Sequence, residues 1–223
     1  MSDYKLIRYA IDGGLATITL AKPPYNVLDI PMMDELNDAL DRCAAAPDVK
    51  VLCITGAGEK AFSAGVEVAD HTPDKMDRMI EAFHGIFRRL DKFPVPTVAA
   101  VNGVALGGGC EVVLGCDMVV AVAGAKFGQP EIKLAVFPPV AAVLLPRLVP
   151  PARAMELLLG GNNIEADEAR ALGLVNRVLP REEFAAGCRV FVEPFLGLSR
   201  AALASTKKAI REARNLPFPA ALD

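Results

Sequence analysis

The sequence predicts an α/β fold with parallel strand pairing, followed by a helical C-terminal region. Two observations support this fold class. Strand and helix patterns alternate through about the first 130 residues, and the patterns after that are mainly helical. The run VKVLCITG at 49–56 is apolar almost throughout, which is typical of a strand buried on both faces of a parallel sheet. We therefore expect a core at residues 1–150 and a helical region at 151–223.

Turn and spacing signals indicate the first elements of the core. Residues 4–20 read as two strands around an Asp-Gly-Gly turn at 12–14, which is a hairpin signal. Residues 31–46 place apolar side chains at helical spacing, and Pro31 suits the first turn of that helix. The chain is therefore expected to begin with a hairpin and a helix.

The same patterns continue to the end of the core. The buried strand at 49–56 is followed by a helix at about 73–92, which has one apolar face. Residues 96–103 read as a strand. Residues 110–124 begin as a short helix and finish as a strand, so strand, helix and strand follow one another closely here.

The C-terminal region is expected to be helical, with one short strand. Residues 151–161 read as a helix that ends on a glycine pair, as helices often do. A second helix is predicted at 166–174 and a short strand at 173–180, which closes on a proline. Residues 182–214 read as two further helices.

Composition and charge argue against several classes of function. The chain has 223 residues, 52% of them hydrophobic, and a net charge of −3 without a basic run, so nucleic acid is not an expected partner. No apolar stretch reaches the roughly 18 residues of a membrane span. The N-terminus carries charges where a signal peptide needs an apolar core. Five cysteines without a Cys-x-x-Cys pair indicate free thiols, so we expect a cytoplasmic protein.

Three segments concentrate unusual backbone and buried charge, namely 60–67, 102–111 and 127–131. The second contains the triplet Gly107-Gly108-Gly109, which lets the backbone approach a ligand closely. A helix that starts there adds a partial positive charge, which suits an anion or a developing oxyanion. The triplet alone is equally compatible with a tight turn and close helix–sheet packing. It is not a phosphate-binding loop, because no Gly-Lys-Ser/Thr follows.

Two glutamates lie beside these segments. Glu111 stands between the glycine triplet and an apolar run, and Glu131 follows Pro130 and precedes another apolar run. An ionised carboxylate in such surroundings is costly unless it is paired or hydrogen-bonded. Either residue alone reads best as an ordinary capping or ion-paired glutamate. Two of them, each beside a glycine-containing turn, favour an acid/base pair.

The motifs resemble those of one known family. The segments A-F-S-A-G at 61–65, N-G-x-A-x-G-G-G-C-E-x-x-x-x-C-D at 102–117 and F-G-Q-P-E at 127–131 are similar to those of the crotonase (enoyl-CoA hydratase/isomerase) superfamily, and the match covers nearly the whole chain. The resemblance implies a crotonase-like spiral of ββα repeats with a helical C-terminal region. It also implies homotrimers or dimers of trimers, and hydration of an α,β-unsaturated acyl-CoA.

The resemblance also implies roles for particular residues. The backbone N–H groups of Val66 and Gly108 map to an oxyanion hole for the enolate. Glu111 and Glu131 match the residues that hold the water and exchange protons with it and with the α-carbon of the substrate. These four are the expected catalytic groups.

For the coenzyme A part of the substrate, the resemblance maps Ala64 to a backbone contact with the adenine. We expect Gly65 and Gly107 to border the same binding site. No metal and no redox cofactor is expected, because the two glutamates and the N–H pair supply what hydration needs. Coenzyme A enters as part of the substrate.

The sequence departs from the family pattern in the acyl pocket and at its C-terminal end. Pro139 stands where the family uses a glycine N–H to hold the catalytic water, and proline has no N–H. The run F-P-P-V-A-A at 137–142 resembles the branch of cyclohexa-1,5-diene-1-carbonyl-CoA hydratases, which act in anaerobic aromatic degradation. Phe137, Pro138 and Val140 are expected to thicken an apolar wall beside Glu131. Family members also continue through further helices, so the resemblance implies a truncated C-terminal region.

Other functions stay open at this point. An isomerase of the same family can work with one carboxylate. A catalytically inactive CoA-binding protein is compatible with Pro139 and the short C-terminal region. A spiral-fold serine peptidase would need a serine after the glycines and a histidine partner, but Cys110 and Glu111 follow the triplet. Cys110 as a nucleophile is weaker than its interpretation as a small buried thiol.

Overall fold

The computed structural model describes residues 4–214 and 216–222, so residues 1–3, Asn215 and Asp223 of the predicted regions lie outside the described residues. Two β-sheets carry the core. The strands are β1 (Ile7–Asp12), β2 (Leu15–Leu20), β3 (Val51–Gly56), β4 (Ala61–Ser63), β5 (Thr97–Val101), β6 (Val104–Leu106), β7 (Met118–Val122), β8 (Lys126–Gly128), β9 (Asn163–Glu165) and β10 (Arg177–Leu179). The helices are α1 (Ile30–Ala45), α2 (Met76–Asp91), α3 (Gly108–Gly115), α4 (Pro139–Leu148), α5 (Pro151–Gly160), α6 (Ala166–Ala171), α7 (Phe184–Leu196), α8 (Arg200–Ala213) and α9 (Phe218–Leu222).

The larger sheet has the strand order β1-β2-β3-β5-β7-β10. Its first two strands form an antiparallel hairpin, and each later strand pairs in parallel with its neighbour. The hairpin turn needs Gly13 and Gly14, whose φ angles of 55° and 86° disfavour residues with a side chain. β3 is buried along most of its length, as its apolar run predicts. The predicted hairpin and the predicted parallel pairing are both confirmed.

The smaller sheet has the order β4-β6-β8-β9 and is built from strands of three residues. The chain places one strand in the larger sheet and the next strand in the smaller one, as β3/β4, β5/β6 and β7/β8, with helices α2 and α3 after the first two pairs. This repetition is the predicted spiral of ββα turns. The short strands β4, β6, β8 and β9 and the helix α4 were not predicted from the sequence, because three residues show no periodicity and α4 begins with proline and contains Pro146.

The C-terminal region packs onto the core and extends both sheets. β9 pairs antiparallel with β8, and β10 pairs in parallel with β7. The predicted helices of this region are present as α5, α6, α7 and α8. The division of the chain at residue 150 stays a prediction. Within the described residues no helix is both long and apolar enough to cross a bilayer.

A largely buried ion pair ties α8 to the larger sheet. Lys207 Nζ lies 2.6 Å from Asp117 Oδ2 and donates to the carbonyl oxygen of Val95 at 2.8 Å. Arg211 donates to the other oxygen of the Asp117 carboxylate at 2.8 Å. The backbone N–H and hydroxyl of Thr97 donate to the same carboxylate. The start of β5 and the end of α3 are thereby fixed against α8.

We expect Lys207→Met to lower the free energy of unfolding by about 2–3 kcal/mol. Removing one partner of a buried pair usually costs about 3–5 kcal/mol, but Arg211 would still neutralise Asp117. The matched control is Lys208→Met. The Lys208 side chain is 72% exposed, so its loss should change stability by less than about 0.5 kcal/mol. Urea unfolding of both variants measures the difference, and equal stabilities would show that the pair does not hold α8.

Candidate active site

The glycine triplet connects β6 to α3 through a turn that only glycine adopts readily. Gly107 follows β6 directly and has φ 51° and ψ −132°. A Cβ at Gly109 would lie 2.4 Å from the carbonyl oxygen of Ser63, so this position also excludes a side chain. The triplet therefore serves both a sharp turn and the close approach of α3 to β4.

The parallel pairing of β4 with β6 brings the first two motifs together. A Cβ built on Gly65 would lie 3.6 Å from the backbone nitrogen of Gly108, and one built on Gly108 would lie 2.6 Å from Cγ2 of Val66. Within the described part of the chain, the backbone N–H groups of Val66 and Gly108 donate no hydrogen bond. Two neighbouring donors without acceptors match the geometry of an anion or oxyanion site.

Glu111 lies in the first turn of α3 and its side chain reaches the start of α4. Its Oε1 atom accepts hydrogen bonds from the backbone N–H groups of Val140 at 2.9 Å and Ala141 at 2.7 Å. The residue is only 2% exposed. Burial, assisted by the charge of Glu131, raises its pKa to about 7, although the two N–H donors oppose this shift. Glu111 therefore changes protonation near neutral pH.

Glu131 lies in a short 3₁₀ turn after β8 and its carboxylate contacts the glycine turn. Its Oε1 atom lies 2.8 Å from the position that a Cβ at Gly107 would occupy. Gln129, which is buried, places its side-chain amide 3.2 Å from both carboxylate oxygens when the amide nitrogen faces them. Burial raises the pKa of Glu131 above its ordinary value.

The two glutamates act on each other electrostatically. The negative charge of Glu131 is one of the causes that raise the pKa of Glu111. Two carboxylates in one buried site do not ionise independently, because the second charge is repelled by the first. The pair therefore holds a proton more readily than two separate exposed glutamates would. One neutral and one ionised carboxyl group is the combination that general acid/base chemistry requires.

Other residues singled out from the sequence have different surroundings. The N–H of Ala64 donates to the carbonyl oxygen of Tyr25 at 2.9 Å. Pro139 is the first residue of α4 and is exposed, directly before the two donors to Glu111. Of the three residues expected in an apolar wall beside Glu131, Pro138 is buried and Val140 is half-buried, but Phe137 is 70% exposed. The expectation for Phe137 rested on its apolar character, which does not fix the direction of a side chain in the loop before α4.

Cys110 and the histidines do not form a nucleophilic site. Cys110 is buried, and burial raises the pKa of its thiol to about 12, so the thiolate is scarce at neutral pH. His71 uses Nδ1 in a hydrogen bond with the carbonyl oxygen of Glu67. Among residues 4–214 and 216–222, no group of three or more His, Cys, Asp or Glu side chains is arranged to hold a metal ion.

Sequence reasoning missed three contributors to the site. The Gln129 amide and the backbone N–H groups of Val140 and Ala141 support the two glutamates. Gln129 was visible only as part of a motif, since an isolated glutamine carries little signal. The backbone donors depend on α4, which was not assigned from the sequence. A Pro-Pro pair before an apolar run is a signal for a helix N-terminus that could have revealed them.

Known proteins share this architecture over most of the chain. Residues 10–223 match the family described as Enoyl-CoA hydratase/isomerase. A cyclohexa-1,5-dienecarbonyl-CoA hydratase from Thauera aromatica is 38% identical over 203 residues, which cover 91% of this chain and 77% of that protein. A crotonyl-CoA hydratase from Syntrophomonas wolfei subsp. wolfei is 37% identical, covering 89% of this chain and 78% of its own length. The crystal structure of an enoyl-CoA hydratase from Mycobacterium smegmatis superimposes with a TM-score of 0.92 at 28% identity, covering 98% of this chain and 87% of that one.

The raised pKa of Glu111 predicts a pH-dependent stability difference. The folded-state pKa of Glu111, about 7, exceeds the ordinary value of 4.5. Ionisation of Glu111 therefore lowers the free energy of unfolding. This loss of stability is absent below pH 4.5 and complete above pH 7. The full cost is about 3 kcal/mol. Glu111→Gln removes it while keeping an oxygen for Val140 and Ala141. The stability advantage of the variant over the wild-type chain should therefore increase by roughly 2–3 kcal/mol from pH 5 to pH 8.

Chemical unfolding at both pH values measures this gain. Glu182→Gln is the matched control, because that glutamate is exposed. A stability difference between Glu111→Gln and wild type that is the same at pH 5 and pH 8 would mean that Glu111 is not desolvated as the structure indicates.

Proposed function

Since the chain belongs to the enoyl-CoA hydratase/isomerase family, we propose that it is an enoyl-CoA hydratase, which adds water across the α,β double bond of an acyl-CoA thioester. One observation carries this proposal. Two interacting buried glutamates with raised pKa values lie at a glycine turn that also presents two unengaged backbone N–H groups. Hydration requires these two elements, a proton-exchanging pair and a site for an enolate oxygen.

The steps follow from the positions of these groups. The ionised carboxylate of the pair takes a proton from water as the water oxygen bonds to Cβ. The π electrons of the Cα=Cβ bond form a new double bond between Cα and the thioester carbon. The π electrons of the carbonyl group move to its oxygen, where the N–H groups of Val66 and Gly108 stabilise the enolate. One such donor is commonly worth about 3–4 kcal/mol of barrier. The protonated carboxyl group then gives its proton to Cα, so one water is added in total and no electron is transferred.

The pKa values support a division of labour between the glutamates. A carboxyl group with a pKa near 7, as for Glu111, is available in both protonation states at neutral pH. The amide of Gln129 donates to Glu131, and a donated hydrogen bond favours the ionised form of a carboxyl group. Because the reaction needs only proton transfer and enolate stabilisation, we propose that it uses no metal and no redox cofactor.

Coenzyme A binding is proposed for the segment before Val66. The N–H of Ala64 is occupied by Tyr25, which leaves the Ala64 carbonyl oxygen as the backbone group for the adenine. Gly65 and Gly107 approach each other through backbone atoms, as a Cβ at Gly65 would lie 3.8 Å from Cα of Gly107. The two turns are therefore in close contact, and we propose that the thioester binds beside them, next to the N–H pair.

A cyclic dienoyl-CoA is the proposed preferred substrate. The similarity to the cyclohexa-1,5-dienecarbonyl-CoA hydratase of Thauera aromatica supports it, and so does Pro139, which begins α4 without an N–H to offer a water. A flexible enoyl chain in such a site loses part of its water positioning. A rigid ring loses less entropy on binding and keeps its Cβ in place.

Glu111→Gln and Glu131→Gln should each lower the kcat of enoyl-CoA hydration by about 10²–10⁴-fold, the usual contribution of a positioned acid or base. Loss of the absorbance of the conjugated thioester measures the rate. Binding of saturated butyryl-CoA should persist, because neither change removes the N–H pair. Glu182→Gln serves as the control and should keep full activity. Activity that survives both site substitutions would contradict the mechanism, and no turnover by the wild-type chain would indicate an inactive CoA-binding protein.

The isomerase of the same family is the second candidate, since double-bond migration needs one carboxylate. Reaction in ¹⁸O-labelled water separates the two reactions, because hydration incorporates solvent oxygen at Cβ and isomerisation incorporates none. Two raised-pKa glutamates rather than one favour hydration.

The ring preference predicts a higher kcat/KM for cyclohexa-1,5-diene-1-carbonyl-CoA than for crotonyl-CoA. A misplacement of about 1 Å can cost 10²-fold in rate, so a difference of roughly that size is expected. Pro139→Gly restores an N–H and should raise the efficiency on crotonyl-CoA more than on the ring. Equal or better efficiency of the wild-type chain on crotonyl-CoA would leave a general enoyl-CoA hydratase.

A homotrimer, or a dimer of trimers, is proposed for the assembly, in a reducing cytoplasm. Exposed apolar side chains at Met155, Leu159 and Val190 support self-association. The five cysteines are all free, as a reducing compartment allows. Light scattering at micromolar concentration should give three or six times the mass of one chain, and a mass of one chain would contradict the proposal.

A further inference from the structure

The loop at residues 22–28, between β2 and α1, pairs with the backbone that carries one of the two proposed oxyanion donors. A parallel β-bridge joins Leu28 to Val66. The N–H of Leu28 donates to the carbonyl oxygen of Gly65 at 2.9 Å, and the N–H of Glu67 donates to the carbonyl oxygen of Leu28 at 3.0 Å. The loop is therefore hydrogen-bonded to both neighbours of Val66.

This pairing decides the direction of the Val66 N–H. In a parallel pair, the hydrogen bonds go to the two neighbours of the bridged residue, whose own N–H points to the other side of its strand. The N–H of Ala64 also donates to the loop, at the carbonyl oxygen of Tyr25. Three backbone hydrogen bonds thus hold residues 64–67, and they leave the N–H of Val66 without an acceptor among the described residues.

The side chain of Asn26 fixes the loop to the rest of the core. Its Nδ2 donates to the carbonyl oxygens of Ala57 at 3.0 Å and Ala61 at 2.9 Å. Its Oδ1 accepts from the N–H of Lys22 at 3.1 Å. Asn26 is fully buried, so these bonds are not exchanged for water. The amide thereby ties the loop to the connection between β3 and β4.

The carbonyl oxygen of Ala61 is a common reference for both oxyanion donors. Asn102, which precedes β6, donates to this oxygen from its own Nδ2 at 3.2 Å. β6 leads directly to the glycine turn and Gly108. The segment of Val66 is thus tied to Ala61 through Asn26, and the segment of Gly108 is tied to it through Asn102.

The backbone of Asn26 also limits what can replace it. Its φ of 49° lies in the left-handed region, which asparagine, aspartate and glycine adopt more readily than other residues. Glycine would keep this conformation and leave two buried carbonyl oxygens without their donor. Aspartate would also keep the shape of the side chain, but it would present an acceptor to the same two oxygens. These two changes therefore remove the hydrogen bonds without forcing the backbone to move.

We propose that Asn26 is a positioning residue for the reaction, which holds the loop at 22–28 so that the N–H of Val66 is directed at the thioester oxygen. The inference rests on the proposed function, because it takes this N–H as part of the oxyanion site. Asn26 is fully buried and acts through Val66 rather than by contact with the substrate.

The polarisation of a bound thioester tests this role without turnover. Hydrogen bonds to a carbonyl oxygen lower its stretching frequency, and butyryl-CoA labelled with ¹³C at the thioester carbon isolates this band in difference infrared spectra. Binding to the wild-type chain should lower the frequency. Asn26→Gly and Asn26→Asp should each lose about half of this downshift, because one of two donors is misdirected.

Hydration kinetics should change in the same direction. Loss of one oxyanion donor lowers kcat by about 10²–10³-fold, so a displaced donor should lower the kcat of either variant by about 10–100-fold. KM should change less than kcat, because the donor acts mainly on the transition state.

Asn37→Gly is the matched control for both measurements. Asn37 is also a buried asparagine, and its amide joins α1 to α2 by donating to the carbonyl oxygen of Ala82 at 2.8 Å. Its replacement should lower the stability to urea, as the Asn26 changes should, because a buried hydrogen bond is lost. The downshift and kcat of this control should stay at the wild-type values.

The outcomes separate the inference from the proposed function. A smaller downshift in the Asn26 variants than in the control supports the inference, even if no enoyl-CoA is hydrated and the hydratase proposal fails. A full downshift in both Asn26 variants overturns the inference, even if hydration is observed. An equal reduction in Asn37→Gly also overturns it, because the effect then follows from lost stability. No downshift in the wild-type chain contradicts the N–H pair and the inference together. Failure of both Asn26 variants to fold, with a folded control, would assign Asn26 to the fold alone and overturn the inference.

Discussion

The burial of the Glu111 carboxylate is the constraint on which the site depends. A carboxyl group that is 2% exposed must find hydrogen-bond donors within the protein, and the start of α4 supplies two backbone N–H groups to one of its oxygens. The position of α4 is therefore linked to the protonation of Glu111. Its raised pKa shows that these donors only partly offset the cost of removing the group from water. The remaining instability of the ionised form is what makes the residue useful for proton exchange.

The second requirement is the close contact of two glycine turns that are about 40 residues apart in the chain. The three-residue strands β4 and β6 pair in parallel, so the turns that follow them lie side by side. Glycine at Gly65 and Gly107 removes the side chains that would keep the backbones apart. Within the described residues the two N–H groups then have no acceptor, and leaving backbone donors unpaired costs stability. Function at this site is thus obtained from backbone geometry rather than from side-chain donors.

The C-terminal region is held to the core by the buried network around Asp117. Lys207 and Arg211 of α8 both pair with the Asp117 carboxylate, which also accepts a hydrogen bond from Thr97 at the start of β5. The candidate site, by contrast, is built from the turns that follow strands of the core.

The sequence alone predicted the fold class, the longer elements, and the glycines and glutamates of the candidate site. The apolar run at 49–56, the hairpin turn at 12–14 and the amphipathic pattern of α2 each carry local signals strong enough to predict them. The glycine triplet and the two glutamates were visible because buried charge beside a glycine turn is unusual in an apolar segment. Motif resemblance then supplied their expected roles.

Only the tertiary structure decided how these residues act together. The short strands that join the two glycine turns have no periodicity, so their pairing depends on contacts between distant parts of the chain. The donors to Glu111 are backbone groups of α4, which composition does not identify. The exposure of Phe137 likewise depends on the path of the chain before α4, which a linear pattern of residue types does not encode.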